Sequence, residues 1–365
     1  MKFAIYTLGC KVNQYETQAM ENELTARGHI LVPFEEAADA YIVNTCTVTA
    51  VSDKKSRAMI RQARKRSPSA VVAVCGCYAQ TNPEAVRALE VDLISGTGDH
   101  RAFLDRVEEL AGRRAEELYD LTDDAMKRRQ FELLPAGGLE GRTRAMLKVE
   151  DGCVNFCSYC IIPYARGPIR SMPLAEAVAE TRRLAAEGYR EIVLTGIEIS
   201  SWGWDLKGGE SLIDLVEGVC RAGAELRVRL GSLEPRTITA EFCRRAAALP
   251  NLCPHFHLSL QSGCDATLKR MNRKYDTARF RQSVALLREY FDDPGITTDL
   301  IAGFPGKPGR SFPRPWTLSG RWAFPPCTSS PTPAGAARRR LRRRGRCPMP
   351  SRPSGPTGRP RQPES

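Results

Sequence analysis

Apolar residues fall into short continuous runs, separated by longer stretches in which they recur every third or fourth position. The first run, residues 3–8 (Phe-Ala-Ile-Tyr-Thr-Leu), meets Gly9-Cys10, and a helical pattern follows over residues 14–27 until Gly28. A second run at residues 40–44 leads directly into Thr45-Cys46. A basic helix then spans residues 53–66 and closes at Ser67-Pro68. A third run at residues 70–74 enters Cys75-Gly76-Cys77. Strands alternating with helices predict a parallel sheet, and in such sheets the loops at the carboxyl ends of the strands hold the ligand. Each of these strands ends in a cysteine, so the three loops are expected to converge.

The pattern resumes further on. Strand candidates stand at residues 145–149, 191–194, 226–230, 256–260 and 297–301, with helical stretches between them such as 174–187 and 279–290. Repeated strand–helix units of this length predict a partial (β/α) barrel. The expected organisation is therefore a small parallel-sheet α/β domain over 1–100, a charged linker over 101–141 and a partial barrel over 142–306. A Pro/Arg-rich tail follows over 307–365, with a composition that cannot bury a core and is expected to be disordered.

Composition changes this picture in two places. The formal charge of +12 suggests nucleic-acid binding, but the tail alone, with 13 Arg, one Lys and one Glu, carries +13 and leaves the remainder at −1. The body has no basic excess to argue from. Helix 53–66 presents Arg57, Arg61, Arg64 and Arg66, which could meet phosphates or simply form a solvated face. The chain has 13 cysteines, an odd number, and no export signal or long apolar run, so ligation of a metal or cluster in a reducing compartment is the natural reading. A cytoplasmic location without a membrane anchor is the default expectation.

The strongest chemical signal is Cys153-Val154-Asn155-Phe156-Cys157-Ser158-Tyr159-Cys160, directly after the first barrel strand. Three thiolates at this spacing can hold one face of a [4Fe–4S] cube and leave one iron open to chelate a substrate. A structural zinc site completed by a fourth cysteine elsewhere is the alternative. Gly196, Ser232 and Gln261, at later strand ends, are candidates for contact with the bound cofactor or simply for packing. Cys220, Cys243, Cys253 and Cys264 lack ligand spacing and read as packing residues, as do His255 and His257 on one face of a strand.

The cysteine loop resembles the radical S-adenosylmethionine superfamily. The phrases around it are similar to the methylthiotransferases: Ile161-Ile162-Pro163-Tyr164-Ala165-Arg166-Gly167, Leu194-Thr195-Gly196-Ile197, Leu260-Gln261-Ser262-Gly263, Met271-Asn272-Arg273-Lys274-Tyr275 and Gly303-Phe304-Pro305-Gly306. The resemblance implies a transferase with two [4Fe–4S] clusters. Cys153, Cys157 and Cys160 would hold the one that cleaves S-adenosyl-L-methionine, and Cys10, Cys46 and Cys77 would hold the other. Cys75 rivals Cys77 for the third place. The phrase Gly9-Cys10-Lys11-Val12-Asn13-Gln14-Tyr15-Glu16-Thr17 resembles the branch that acts on N6-threonylcarbamoyladenosine, beside the anticodon of tRNA. That branch implies hydrogen abstraction at C2 of the adenine and its replacement by a methylthio group. It also implies a tRNA substrate, a sulfur donor and a reducing partner such as a flavodoxin or ferredoxin. A radical enzyme acting on another substrate, or a cluster- and RNA-binding remnant without full activity, are the alternatives.

The resemblance stops at Gly306. The family continues with an acidic helix, a sixth barrel strand and a small RNA-binding β-barrel, where this chain turns to Pro and Arg. A shifted reading frame near residues 307–310 would account for this, and a genuine disordered basic tail that binds RNA by charge is the alternative. Read one frame away, residues 326–339 can spell Met-His-Val-Phe-Pro-Tyr-Ser-Arg-Arg-Gly-Gly-Thr-Pro-Ala, close to the family's phrase after its sixth strand. The expectation is a barrel left with five strands and an open edge.

Overall fold

The computed structural model describes residues 1–111, 117–135, 137 and 143–305, and the backbone of 328–331. The first unit is a six-stranded, wholly parallel sheet in the order β2-β1-β3-β4-β5-β6. Its strands are β1 (Lys2–Thr7), β2 (Ile30–Leu31), β3 (Ala40–Thr45), β4 (Val71–Gly76), β5 (Leu93–Ser95) and β6 (Tyr119–Leu121). Every residue of β3 and β4 is buried, as expected of central parallel strands covered on both faces, which explains their continuous apolar runs.

Helices α1 (Lys11–Ala26), α2 (Ala50–Arg66), α3 (Cys77–Thr81), α4 (Pro83–Arg87) and α5 (His100–Leu110) provide the cover. One layer joins Ala4, Tyr41, Val43, Val72 and Val74 to Ile60 and Ala63 of α2. The opposite layer joins Phe3, Ile42 and Ala73 to Met20 and Leu24 of α1 and to Phe103, Leu104 and Val107 of α5. Helix α2 begins three residues earlier than its apolar periodicity suggests, because Thr49 accepts a hydrogen bond from the Ser52 amide at 3.1 Å and caps it.

The stretch expected to be a linker differs from that reading. Its α5 and β6 are built into the first sheet, because Phe103, Leu104, Val107 and Leu110 form an apolar stripe that must be buried against it. Residues 112–116, 136 and 138–142 lie outside the described residues. The described residues after β6 run back over α1, where Tyr15 donates to the Leu134 carbonyl at 2.5 Å and Gln18 to the Gly137 carbonyl at 2.6 Å.

The second unit is a partial barrel. Strands β7 (Arg144–Lys148), β10 (Glu191–Thr195) and β11 (Arg227–Leu230) pair in parallel, as do β12 (Ser232–Leu233), β13 (His255–Leu258) and β14 (Gly295–Thr297). Gly231 separates β11 from β12, and β15 (Asp299–Ala302) continues β14. A short antiparallel pair, β8 (Glu150–Asp151) and β9 (Arg170–Ser171), frames the cysteine loop. Helices α6 (Ile162–Arg166), α7 (Leu174–Ala186), α8 (Leu212–Ala222), α9 (Ala240–Ala247), α10 (Asp265–Arg270) and α11 (Thr277–Tyr290) complete the unit. Its core reaches across to Tyr15 and Ala19 of α1, so the two units share one apolar body.

The barrel edge was expected to stop at five strands. Within the tail, Thr328–Pro331 forms β16, which pairs in parallel with Asp299–Ala302 and adds a sixth. An unpaired strand edge offers amides and carbonyls to any extended segment, and this one is taken up. The rest of the tail lies outside the described residues.

Candidate functional site

The first site grows from the carboxyl ends of β1, β3 and β4. Cys10 precedes the first turn of α1, Cys46 follows β3, and Cys77 opens α3. A positive φ of 92° lets Gly76 turn the chain here, and a Cβ at that position would lie 2.5 Å from the Thr45 carbonyl oxygen. One asparagine ties the loops together. Asn13 Nδ2 donates to Asn44 Oδ1 at 3.1 Å and to the Thr45 carbonyl at 3.0 Å, while its Oδ1 accepts from the Cys10 thiol at 3.5 Å.

The three sulfurs are electrostatic neighbours. Cys46 and Cys77 each feel Cys10, and burial pushes the Cys77 thiol up to about 12. Cys75 has a different setting. It is 1% exposed in the layer with Phe3, Met20 and Leu24, and burial pushes its thiol still higher. The donor set of Cys10, Cys46 and Cys77 fits a cluster: soft thiols at converging loops, held by a hydrogen-bonded shell.

The second site is the loop after β8. Cys153 donates its amide to the Gly167 carbonyl at 3.0 Å, and the Cys160 amide donates to the Cys157 carbonyl at 2.9 Å. Phe156 sits at a φ of 45° between the first two cysteines, a left-handed conformation that a bulky side chain rarely takes. The turn after α10 holds it there. Asn272 Nδ2 donates to the Asn155 and Phe156 carbonyls at 3.2 and 3.0 Å, and the Ser158 amide donates to the Met271 carbonyl at 3.1 Å. Arg273 Nη1 donates to Cys157 Sγ at 3.3 Å.

Burial pushes the Cys153 and Cys160 thiols up to about 12 and about 11, opposed by backbone hydrogen bonds from Asn155 and Ile162. These amides and Arg273 are what a metal-bound thiolate uses, so this set also fits a cluster. Among the described residues no three His, Cys, Asp or Glu side chains close round a point as a single ion would need.

Gly196 follows β10, Ser232 opens β12 beyond β11, and Gln261 follows β13 at a φ of 64°. They thus stand at successive strand ends. A Cβ on Gly196 would lie 2.8 Å from both the Glu150 carbonyl and Glu150 Oε2, so close packing already demands glycine there. Ser232 is exposed. The Gln261 amide donates to the Asp299 carbonyl at 2.9 Å.

Sequence reading missed the charged groups of this mouth. Glu150 is fully buried, and burial holds its carboxyl well above the ordinary range. Burial and the neighbouring Glu234 push the Glu198 carboxyl up to about 7. Glu150 Oε1, Glu198 Oε1, Ser262 Oγ and Arg273 Nη2 are buried without a protein partner. Acceptors and a cationic donor left unpaired at one mouth suit a ligand with its own ammonium and carboxylate groups. Glu198 lies in the Leu194-Thr195-Gly196-Ile197 neighbourhood and Arg273 in the Met271–Tyr275 phrase, so both stood beside motifs already recognised.

The basic helix divides. Arg64 donates to the Glu90, Pro68 and Ala70 carbonyls and pairs with Asp92, and Arg66 donates to the Phe34 carbonyl. Arg57 bonds the Tyr78 hydroxyl at 2.9 Å, while Arg61 is exposed. Most of the predicted phosphate face is thus occupied by the fold itself.

Two family models match the two units. Residues 2–96 match the uncharacterized protein family UPF0004, and residues 147–314 match the radical SAM superfamily. The threonylcarbamoyladenosine tRNA methylthiotransferase MtaB of Bacillus subtilis (strain 168) is 39% identical over 310 residues, covering 85% of this chain and 68% of that protein. The chain belongs to the radical S-adenosylmethionine methylthiotransferases.

Membership makes the chain a transferase enzyme of radical S-adenosylmethionine type, a chemistry that employs a [4Fe–4S] cluster and S-adenosylmethionine. The Aquifex aeolicus (strain VF5) MtaB is 38% identical over 313 residues, with 86% of this chain and 75% of that protein covered. A second branch is near too: the tRNA-2-methylthio-N(6)-dimethylallyladenosine synthase of Oleidesulfovibrio alaskensis (strain ATCC BAA-1058 / DSM 17464 / G20) is 36% identical over 318 residues, 85% of this chain and 68% of that protein. The fold is shared with the radical S-adenosylmethionine methyltransferase TsrM from Kitasatospora setae, solved with cobalamin and a [4Fe–4S] cluster. The TM-score is 0.64 at 16% identity, over 90% of this chain and 74% of that one. No helix among the described residues is long and apolar enough to cross a membrane.

Proposed function

We propose that this methylthiotransferase places a methylthio group on C2 of N6-threonylcarbamoyladenosine in tRNA, with one [4Fe–4S] cluster on Cys153, Cys157 and Cys160 and another on Cys10, Cys46 and Cys77. The observation that carries the two-cluster reading is the pair of three-cysteine constellations, one at three strand ends and one in the loop after β8, each backed by its own hydrogen-bonded shell. The branch rests on the N-terminal phrase around Cys10 and on the identity to enzymes named for threonylcarbamoyladenosine, 39% and 38%.

When bound, the two clusters supply the electron that cleaves S-adenosylmethionine and the site from which sulfur is delivered. The chain does the rest. Arg273 orients Cys157 and keeps Nη2 free for a carboxylate, while Glu198 and Glu150 present acceptors to an ammonium group. Gly196 lets β10 pass close to Glu150, and Ser232 and Gln261 extend the same rim. Burial of Cys157, Glu150 and the Arg273 Nη2 atom keeps water from reactive groups. The partners of this reading are a tRNA, a flavodoxin- or ferredoxin-type reductant and a sulfur donor. The expected domain division is the cluster domain followed by the radical barrel.

The test is anaerobic reconstitution with iron and sulfide, followed by reaction with tRNA, S-adenosylmethionine and a chemical reductant. Nuclease digestion and mass spectrometry then score the nucleosides. Methylthiolated threonylcarbamoyladenosine is expected. Product only from dimethylallyladenosine refutes the branch, and cleavage of S-adenosylmethionine with unmodified tRNA refutes the substrate.

A further inference from the structure

Between the two cysteine sites lies a buried group of charged and polar side chains. Glu16 and Asn13 come from α1 of the first unit; Lys148, Asp151, Arg166 and Arg170 come from the second. All are at most 4% exposed. Arg166 is the hub. Its Nη1 and Nη2 donate to both oxygens of Glu16, Nη2 donates to Asn13 Oδ1 at 3.1 Å, and Nη1 reaches Asp151 Oδ2 at 3.4 Å. Lys148 Nζ lies 3.1 Å from Glu16 and 3.3 Å from Asp151, and Arg170 lies 3.2 Å from Asp151.

The charges do not balance. Three cations face two carboxylates, and the adjoining His100–Glu132 pair contributes one of each sign. A surplus positive charge among buried side chains is costly without an anion. Arg166 Nε is also a buried donor with no protein partner. The first cysteine site adjoins this group. Asn13, which receives Arg166, also receives the Cys10 thiol and holds the Thr45 carbonyl beside Cys46, and Arg166 is an electrostatic neighbour of Cys77. A cubane carried by three thiolates is anionic overall, and nearby charge and hydrogen bonds set its potential.

We infer that Arg166 is a positioning residue for the first cluster: a cation supplied by the barrel unit that neutralises the cluster on Cys10, Cys46 and Cys77, raises its reduction potential and fixes it against the second cysteine loop. The connection is short, because α6 ends at Arg166 and begins two residues after Cys160. Thr97 Oγ1 of the first unit donates to the Ala165 carbonyl at 2.6 Å and pins the same helix. This inference rests on the two-cluster reading.

The experiment uses the full chain carrying Cys153→Ala, Cys157→Ala and Cys160→Ala together, so that any iron belongs to the first site. Iron content, the electron paramagnetic resonance of the reduced cluster and its midpoint potential are measured with Arg166→Gln, Arg166→Lys and Glu16→Gln added singly. Removing the cation is expected to shift the reduction equilibrium at least tenfold toward the oxidised form, ~59 mV for one electron. Arg166→Lys should recover most of that shift, and Glu16→Gln should move the potential the opposite way. A structural role alone would move Arg166→Gln and Glu16→Gln in the same direction, and that result overturns the inference. Equal potentials in all four proteins overturn it as well. If Arg166→Gln fails to fold by circular dichroism, the signs of the Lys and Glu16 variants decide. A parent protein that binds no iron refutes the two-cluster reading and the inference together.

Discussion

Glu132 holds His100 by two bonds, from the backbone amide to Oε1 at 2.6 Å and between Nδ1 and Oε2 at 2.7 Å. His100 is 2% exposed and the Glu132 side chain 26%. Burial raises the Glu132 carboxyl, but the charge and hydrogen bond of His100 outweigh it and bring the group down to about 2 from 4.5. Burial lowers His100, but Glu132 and Glu16 outweigh it and hold the imidazole above 6.5. Each pKa unit is worth about 1.4 kcal/mol, so the depressed carboxyl alone corresponds to about 3 kcal/mol of folding stability. Glu132→Gln keeps one acceptor for the amide but removes the charge. The expected loss is about 2–3 kcal/mol, a fall in urea midpoint of roughly 1 M for a slope near 2 kcal/mol/M.

The sign of the pH dependence follows from both shifts. The Glu132 contribution is complete above about pH 4.5 and vanishes as pH falls toward 2. The His100 contribution is complete below about pH 6.5 and is lost as pH rises through its elevated folded value. The stability difference between parent and Glu132→Gln should therefore form a plateau from about pH 4.5 to 6.5 and decline on both sides. Urea unfolding followed by circular dichroism, in reducing buffer on cluster-free protein, excludes acid loss of iron as a cause. A difference that stays flat from pH 3 to 9 would refute a charged pair. One that grows above pH 8 would mean that the imidazole is neutral and acts only as a hydrogen-bond partner.

Other outcomes follow from the same geometry. Replacing Cys153, Cys157 and Cys160 together by Ala should halve the iron bound per chain and abolish S-adenosylmethionine cleavage, measured by colorimetric iron assay and chromatography. Cys77→Ala should lose the first cluster's iron, whereas Cys75→Ala, which removes a thiol from an apolar layer, should retain it and cost about 1 kcal/mol of stability. Arg273→Met removes Nη2, the unpartnered cationic donor proposed to bond the carboxylate of S-adenosylmethionine; a charged hydrogen bond is worth about 1.5–3 kcal/mol, so binding should weaken about 10–100-fold by equilibrium dialysis. Trp202, fully buried, donates Nε1 to the Met172 carbonyl at 2.9 Å, and Trp202→Phe should cost about 1–3 kcal/mol in urea unfolding.

The sequence made the site cysteines legible because both signals are local. A strand buried on both faces reads as an unbroken apolar run, and each of the three runs in the first unit leads straight into Cys10, Cys46 or Cys77. The loop Cys153–Cys160 carries its chemistry within eight residues. Contacts between distant segments left no such trace. Glu16 and Arg166 are 150 positions apart, and Glu16 on an amphipathic helix reads as an ordinary surface carboxylate. Gly196 could be picked out at a strand end, but Glu150, 2.8 Å from its missing Cβ, could not. The strand formed by Thr328–Pro331 was hidden for another reason. Its composition says nothing, and only the open edge of β15 gives it a place.

The junction between the units is charged where an apolar seam would be simpler to build. Tyr15 and Ala19 already supply apolar contact to the barrel core. Adding Glu16 and Asn13 brings desolvation costs that apolar side chains would avoid, and such groups are tolerated when they fix a unique arrangement. Here they fix which loop of the first unit faces which loop of the second. It follows that the first unit should be a poor independent domain. Expressed as residues 1–123, it would expose Tyr15 and Ala19 and leave the Glu16 carboxylate without Arg166 and Lys148. Hydrogen exchange should then be fast in α1, which is buried in the full chain, and slow in β3 and β4. Equal protection of α1 in the fragment and in the full chain would show that the charged seam does no more than join two finished domains.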